Sequence, residues 1–184
     1  MKRGILTVFS MFFLFGCSTY SGQRYAMSVD NIEIIKSTIQ SQPYHHVAVG
    51  DFTSSKPSVN NIMCRAVGPI KTPDGETFEA YIRDALIDEL KMSDAYSASS
   101  SVVIKGNLDD INFDSMNGLW TLKLTISFSN GSAFTVSESY AFTPSWYGET
   151  GCNQTAQAFM PAVQNLISKV VSHSSFKTWI IAKS

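Results

Sequence analysis

Residues 117–142 read NGLWTLKLTISFSNGSAFTVSESYAF, and this stretch carries the clearest strand pattern in the chain. From 119 to 129, apolar side chains alternate with Thr, Ser and Lys, the pattern of a strand that buries one face. The alternation returns from 134 to 142. Asn-Gly pairs at 117–118 and 130–131 precede the two runs, and Asn-Gly favours the tight turns of hairpins. The stretch therefore predicts an antiparallel meander.

The neighbouring segments extend this sheet. Val102 to Phe113 alternates as well, so it predicts a third meander strand, with a bulge at Asp109-Asp110 where the alternation changes phase. His45 to Phe52 predicts a first strand that ends before Pro57. Residues 53–73 show no clear period and contain three prolines, so they read as a long loop, which in a compact domain is usually functional or pinned.

Apolar residues at helical spacing predict two main helices. Thr77 to Leu90 is amphipathic, with Glu79 and Arg83 as an i,i+4 pair on its polar side. Asn153 to Val171 is a second helix, which Pro161 either kinks or begins. Residues 31–40 are compatible with a short helix, and residues 176–181 with a final docked segment.

The predicted order is strand, helix, three strands, helix. We therefore expect an α+β fold, a two-layer sandwich in which both helices cover one face of a mostly antiparallel sheet. The other face would present Thr, Ser and Lys to solvent unless a partner covers it.

Composition excludes several classes of function. The chain has 184 residues, of which 16% are charged, and a formal net charge of -1. An average globular protein is about 25% charged, so this surface is rich in uncharged polar groups. Without a basic block there is no phosphate-binding footprint, and we expect no nucleic-acid partner.

The first residues have the features of an export signal. Lys2 and Arg3 precede an uncharged apolar run from Gly4 to Phe15. That run is shorter than the roughly 20 residues of a membrane-spanning helix and fits a secretory signal.

Leu14-Phe15-Gly16-Cys17 then resembles the lipobox of bacterial prolipoproteins. Leu14, Gly16 and Cys17 match the pattern, whereas Phe15 replaces a residue that is usually small. The resemblance implies acylation of Cys17 and removal of residues 1–16, and Ser18 after the Cys implies the outer membrane. More than one acyl chain is required, because a single chain binds membranes only marginally. The alternatives are an ordinary secretory signal with an incidental Cys17, or an uncleaved anchor.

The sequence accordingly divides into three parts. Residues 1–16 form the signal peptide, 17–44 the lipidated Cys with a tether and a short helix, and 45–184 one α+β domain facing the periplasm. Residues 18–30 are small and polar, which is typical of a flexible tether.

Cys64 and Cys152 are the cysteines that remain after lipidation of Cys17. In an oxidising compartment we favour a disulfide between them over two buried thiols. It would pin the 53–73 loop to the start of the last helix. Neither cysteine lies in a recognisable nucleophile pattern with a histidine.

Other candidate sites have simpler interpretations. His45-His46 and Asp109-Asp110 are adjacent on strands, so their side chains diverge and favour neither a metal site nor an acid–base pair. Glu138 interrupts an apolar face, as either a buried carboxylate or a sheet-edge residue, and we favour the edge. An aromatic set could stack on a sugar, although such residues more often pack in a core: Trp120, Trp146, Tyr147 and Trp179.

The element order behind Cys17, over about residues 45–181, resembles small lipoproteins with an LptE- or YajG-like domain. It also resembles domains of curli-secretion and penicillin-binding-protein-activator lipoproteins. The resemblance implies a protein without catalytic residues or cofactors, acting as a subunit of an envelope assembly, secretion or transport complex. It would bind a protein partner through a sheet edge or the 53–73 loop. The alternatives are a carrier of lipid or glycan and an unrecognised hydrolase.

Overall fold

The computed structural model describes residues 18–40, 43–44, 46–57 and 59–181. Within them the chain forms an α+β fold, as the sequence predicts. Its elements in chain order are β1 (Tyr20–Ser21), α1 (Val29–Gln40), β2 (Ala48–Ser54), β3 (Asn61–Cys64), β4 (Gly68–Lys71), α2 (Phe78–Met92), β5 (Val103–Asp114), β6 (Leu119–Phe128), β7 (Ala133–Ala141), α3 (Gly148–Ser172) and α4 (Ser174–Ile180).

The predicted meander is confirmed as β5–β6–β7. Both pairs of strands are antiparallel, with Leu124 opposite Leu108 on one side and Val136 on the other. Gly118 and Gly131 have φ angles of 69° and 88°, the left-handed conformation that these hairpin turns require. The β5–β6 register shifts between Leu108 and Asp110, so the predicted bulge is also present.

β2 completes the main sheet, whose strand order is β2-β5-β6-β7. β2 and β5 are parallel, since α2 carries the chain back across the sheet between them. The predicted pair of Glu79 with Arg83 is wrong. Glu79 is buried, while Arg83 donates to the Gly50 carbonyl at 2.8 Å and to Asp84 at 2.7 Å. The β2 carbonyl lies within reach of the guanidinium and outcompetes a partner one turn away.

α2 and α3 pack on the same face of the sheet, as predicted. Phe159 of α3 lies at the centre, with ring centroids 5.1 Å from Trp120 of β6 and 5.2 Å from Phe78 of α2. The Trp120 indole donates to the Thr155 carbonyl at 2.8 Å, so this buried ring keeps its hydrogen bond. Pro161 lies inside α3 and does not begin it, because the helix starts at Gly148.

Residues 53–73 are more ordered than their lack of period predicts. They contain the end of β2 and the hairpin β3–β4, and β4 also pairs with β1 in a three-stranded sheet of order β1-β4-β3. Strands of two to four residues are too short to show an alternating pattern. The short helix predicted at 31–40 is α1, and the final segment is α4, where Phe176 and Ile180 are buried.

Candidate functional site

The residues of the predicted lipidation signal lie outside the described part of the chain. Leu14, Gly16 and Cys17 precede Ser18, where the described residues begin. Cys17 directly precedes Ser18 in the sequence, so the segment that begins at Ser18 is the described part of the chain nearest to the predicted lipidation site. The structure of the segment after Cys17 is therefore the relevant site.

This segment packs on the domain and does not extend from it as a flexible tether. Tyr20 pairs with Ile70, and the Gly22 N–H donates to the Lys71 carbonyl at 2.8 Å. The Ser18 carbonyl lies so close to Gly68 that a Cβ there would be 2.0 Å from it. Backbone pairing needs no apolar side chain, which is why the small, polar composition of residues 18–30 did not reveal it.

A buried carboxylate holds the next part of the segment. Glu89 of α2 is 0% exposed, and its Oε1 accepts from the Tyr25 hydroxyl at 2.6 Å and the Ser28 N–H at 2.8 Å. The Asn31 amide donates to the same oxygen at 3.4 Å and to the Gln164 carbonyl at 3.0 Å. One side chain of α2 therefore joins residues 25–31 to the core.

Two tyrosines of this contact are strongly perturbed. Burial, followed by the hydrogen bond to Glu89 and its charge, raises the pKa of Tyr25 far above its usual range. Burial, followed by the charge of Glu76, also raises the pKa of Tyr81, whose hydroxyl donates to the Gln23 carbonyl at 2.9 Å. Both phenols remain protonated donors that fix the segment.

Cys64 and Cys152 form the disulfide that the sequence favours, with a Cα–Cα distance of 5.9 Å. The bridge joins the end of β3 to the first turns of α3, and both residues are fully buried. It therefore pins the 53–73 region to the last long helix.

Of the two residue pairs considered as sites, the structure describes both members only of Asp109-Asp110, and these two carboxylates have different partners. His45 lies outside the described residues, and His46 is exposed, 5.2 Å from the Tyr44 ring. Asp109 accepts from Thr125 and Asn107, both at 2.7 Å. Asp110 instead pairs with Lys56.

Glu138 lies on an edge strand, and its carboxylate is nevertheless buried. β7 is an edge strand, yet the Glu138 side chain is only 5% exposed, because α3 covers it. Lys169 of α3 lies 2.6 Å from its carboxylate, and Asn165 donates to it at 3.4 Å. The favoured edge position is therefore correct for the strand, while the carboxylate itself is buried and paired.

The four aromatic residues do not form a sugar-binding platform. Trp120 is in the core, and Trp179 stacks on Phe128 with a centroid distance of 5.6 Å. Trp146 and Tyr147 are adjacent and exposed.

An apolar groove lies between β5 and the start of α2. Its volume is about 380 Å³, within the range of small-molecule sites. It is lined mainly by apolar side chains: Pro57, Val59, Ile62, Phe78, Leu108 and Ile111.

Among the residues that the structure describes, no cluster of three or more His, Cys, Asp or Glu side chains has the arrangement of a metal site. None of the described helices combines the length and hydropathy needed to cross a membrane.

No protein-family model matches the sequence, and no curated protein matches it either. One similar solved structure is that of a protein from Caulobacter crescentus CB15 that is provisionally described as a lipoprotein. It is 14% identical, with a TM-score of 0.31, and the match covers 82% of this chain and 94% of that chain. At this TM-score the similarity supports no argument about the chain.

Proposed function

We propose that this protein is a bacterial lipoprotein, held in a membrane by acyl chains on Cys17 and serving as a non-enzymatic subunit of a cell-envelope complex. The supporting observation is the junction at Cys17. The pattern Leu14-Phe15-Gly16-Cys17 ends one residue before Ser18, whose carbonyl already packs on Gly68. Cleavage before Cys17 would remove a signal and leave every described element in place.

Replacement of the acylated thiol tests the anchor. We expect Cys17→Ser to abolish incorporation of labelled fatty acid, block cleavage of the signal and change fractionation of the protein with membranes. Ser18→Ala is the matched control, because it leaves 14–17 intact and should be labelled like the native chain. The proposal would be overturned by three results together: the native protein carries no fatty acid, and Cys17→Ser is both processed as before and fully associated with membranes.

The outer membrane is the proposed destination, with the domain in the periplasm, because Ser18 and not Asp follows the Cys. We expect Ser18→Asp to move the lipidated protein to the inner membrane. Separation of the two membranes by density measures this, and an unchanged distribution would contradict the assignment.

The role as a subunit is supported by an available strand edge. β3 lies at the edge of the small sheet, and no described strand pairs with its outer side. It belongs to the 53–73 region, and strand addition requires only such an edge. A photocrosslinking residue at Asn61, which is exposed, should capture one discrete envelope protein. The same probe at Val29 on α1 is the control, and equal patterns from both sites would argue against a β3 interface.

The proposal of a non-enzymatic role is supported by the structural use of buried acids. Glu89 accepts hydrogen bonds from residues 25–31, and Glu138 pairs with Lys169. Both carboxylates stabilise contacts between elements.

A second candidate function, binding of a lipid or glycan by the domain, is favoured by the apolar groove. A native mass increment in protein purified from membranes would support it. Val59→Arg should remove the increment by placing a charge in the groove, whereas Val29→Arg, on an exposed residue of α1, should not. Protein that carries no increment, or an increment insensitive to Val59→Arg, would contradict this function.

A further inference from the structure

The end of the molecule at which Cys17 joins the domain is defined by the β3–β4 turn. Ser18 packs on Gly68, the first residue of β4, and Tyr20 pairs with Ile70 in parallel. In the sequence, Cys17 directly precedes Ser18, the residue that makes this contact. If acyl chains are attached to Cys17, no residue lies between the acylated residue and Ser18, so we expect the surface around this turn to face the bilayer.

The two most exposed large apolar side chains of the described residues lie at this same turn. Trp146 is 87% exposed and Tyr147 is 81% exposed. Gly148, which follows them, is so close to Val67 that a Cβ there would be 2.8 Å from the valine methyl. Val67 directly precedes Gly68. Gly148, the residue after the aromatic pair, therefore lies beside Val67, and Ser18 lies beside the next residue, Gly68.

The loop that carries the aromatic residues is held in place by Arg65 of the same turn. Its guanidinium donates to the Ser145 carbonyl at 2.8 Å and to the Trp146 carbonyl at 3.4 Å. It also donates to the Ser115 hydroxyl at 2.8 Å and to the Ser115 carbonyl. One side chain thus fixes both the 145–147 loop and the β5–β6 turn, so the aromatic pair is exposed on an organised surface.

We infer that Trp146 and Tyr147 insert into the headgroup region of the membrane in which Cys17 is anchored, so that the domain docks on the bilayer through this end. The inference rests on the proposed lipid anchor. Tryptophan and tyrosine favour this region because each combines an apolar ring with a polar group. Met63 and Met116, which are 61% and 45% exposed, border the same turns and add apolar area.

The charges at this end predict which lipids are needed. Arg65 is occupied by carbonyl and hydroxyl groups, while Asp114 accepts from the Met116 and Asn117 N–H groups. Glu149 is exposed at the start of α3. Two acidic side chains and one arginine whose donors are already hydrogen-bonded should not attract anionic lipids to this surface. Docking driven by ring burial should occur on zwitterionic vesicles and depend little on salt.

The test uses the complete lipidated protein in phosphatidylcholine vesicles containing acyl-brominated lipid, which quenches tryptophans near the bilayer. We expect loss of part of the tryptophan emission, and we expect Trp146→Phe to abolish that loss while the protein still floats with the vesicles. Trp179→Phe is the matched control. Trp179 stacks on Phe128, the last residue of β6. Since β6 has 10 residues, Phe128 is about 30 Å from Leu119, the end of β6 that lies near the 145–147 loop. This variant should keep the quenching.

Each other outcome has a distinct meaning. Protein that floats without quenching overturns the docking but leaves the anchor intact. Protein that carries no lipid overturns both proposals. Absence of quenching in vesicles, combined with protection of residues 145–147 from hydrogen exchange in native membranes, would assign the aromatic pair to a protein partner instead.

Discussion

Glu89 holds residues 25–31 on the domain through three hydrogen bonds to one carboxylate oxygen. Its Oε1 serves donors on Tyr25, Ser28 and Asn31, whereas its Oε2 has no hydrogen-bond partner among the described residues. Sequence periodicity contained a signal for it, since position 89 lies three residues after Leu86 and seven after Ile82 on the buried stripe of α2. A glutamate on an apolar stripe indicates a buried acceptor.

Removal of this acceptor should destabilise the fold. We expect Glu89→Ala to lower the free energy of unfolding by about 3–5 kcal/mol, because three hydrogen bonds are lost and their donors stay buried. Urea unfolding measures the change. Asp88→Ala, an exposed neighbour on the same helix, should change stability by about 0.5 kcal/mol or less. Equal effects of the two variants would show that the Glu89 contacts contribute little.

Glu76 predicts a pH-dependent effect. Burial, followed by the charges of Asp84 and Asp74, raises the pKa of this carboxyl in the folded protein. At a pH below the pKa that this carboxyl has in the unfolded protein, the group is protonated in both the folded and the unfolded protein. The folded protein therefore loses stability only as the pH rises through the raised pKa of the folded state. Glu76→Gln should therefore stabilise the protein at pH 7, by about 0.5 kcal/mol given its exposure.

The effect of Glu76→Gln should vanish at about pH 3.5, below the ordinary glutamate pKa. Thermal unfolding at both pH values measures it. Glu149→Gln on α3 controls for the loss of one surface charge. Stabilisation by Glu76→Gln that is the same at both pH values would contradict the explanation.

At the scale of elements, the disulfide connects two parts that the sequence separates widely. Cys64 and Cys152 are 88 residues apart. In the chain-entropy model, closing a loop of this length contributes about 4–5 kcal/mol. The double variant Cys64→Ala/Cys152→Ala should lose about that amount in urea unfolding. Dithiothreitol should destabilise the native protein and leave the double variant unchanged, and sensitivity of both to the reductant would contradict this assignment.

Lys169 of α3 protects the outer edge of β7. The Phe142 N–H donates to the Gly118 carbonyl, and the Phe128 N–H donates to the Ser132 carbonyl. The even-numbered residues of β7 therefore direct their backbone groups toward β6. The odd-numbered residues direct theirs away from it, so the Ser137 carbonyl points outward. Lys169 donates to that carbonyl at 2.6 Å and also pairs with Glu138. A lysine at a strand edge opposes pairing with another chain, so β7 is a less accessible edge than β3.

Loss of this lysine should therefore affect stability and association together. Lys169→Met leaves the Glu138 carboxylate without its cation, at a cost of about 1–3 kcal/mol because the lysine is half exposed. Dimers or larger species should also appear in size-exclusion chromatography. The double variant Lys169→Met/Glu138→Gln should recover stability, because no unpaired carboxylate remains buried. It should still form dimers or larger species, because the lysine no longer covers the edge of β7. If the double variant is no more stable than the single variant, the buried pair is not the cause.

At the scale of the whole molecule, residues 18–30 belong to the cooperative fold. A protein beginning at residue 31 should melt about 8–16 °C below one beginning at Ser18, corresponding to about 4 kcal/mol of lost contacts. Calorimetry measures this shift. Removal of residues 182–184 is the control, because Ile181, which pairs with Tyr44, remains. An unchanged melting temperature in the protein beginning at residue 31 would restore the interpretation of a tether.

The meander with its hairpin turns and bulge, the two covering helices and the favoured pairing of Cys64 with Cys152 could be predicted from the amino-acid sequence. The strands, turns and helices depend on local period and turn chemistry, which neighbouring residues encode, whereas the disulfide followed from the two remaining cysteines in an oxidising compartment. Three contacts became visible only in the folded chain: Ser18 packs on Gly68, Glu89 binds residues 25–31, and the loop of Trp146 lies beside the β3–β4 turn. Such contacts join distant residues through backbone groups or single polar side chains, and neither leaves a periodic pattern in the chain.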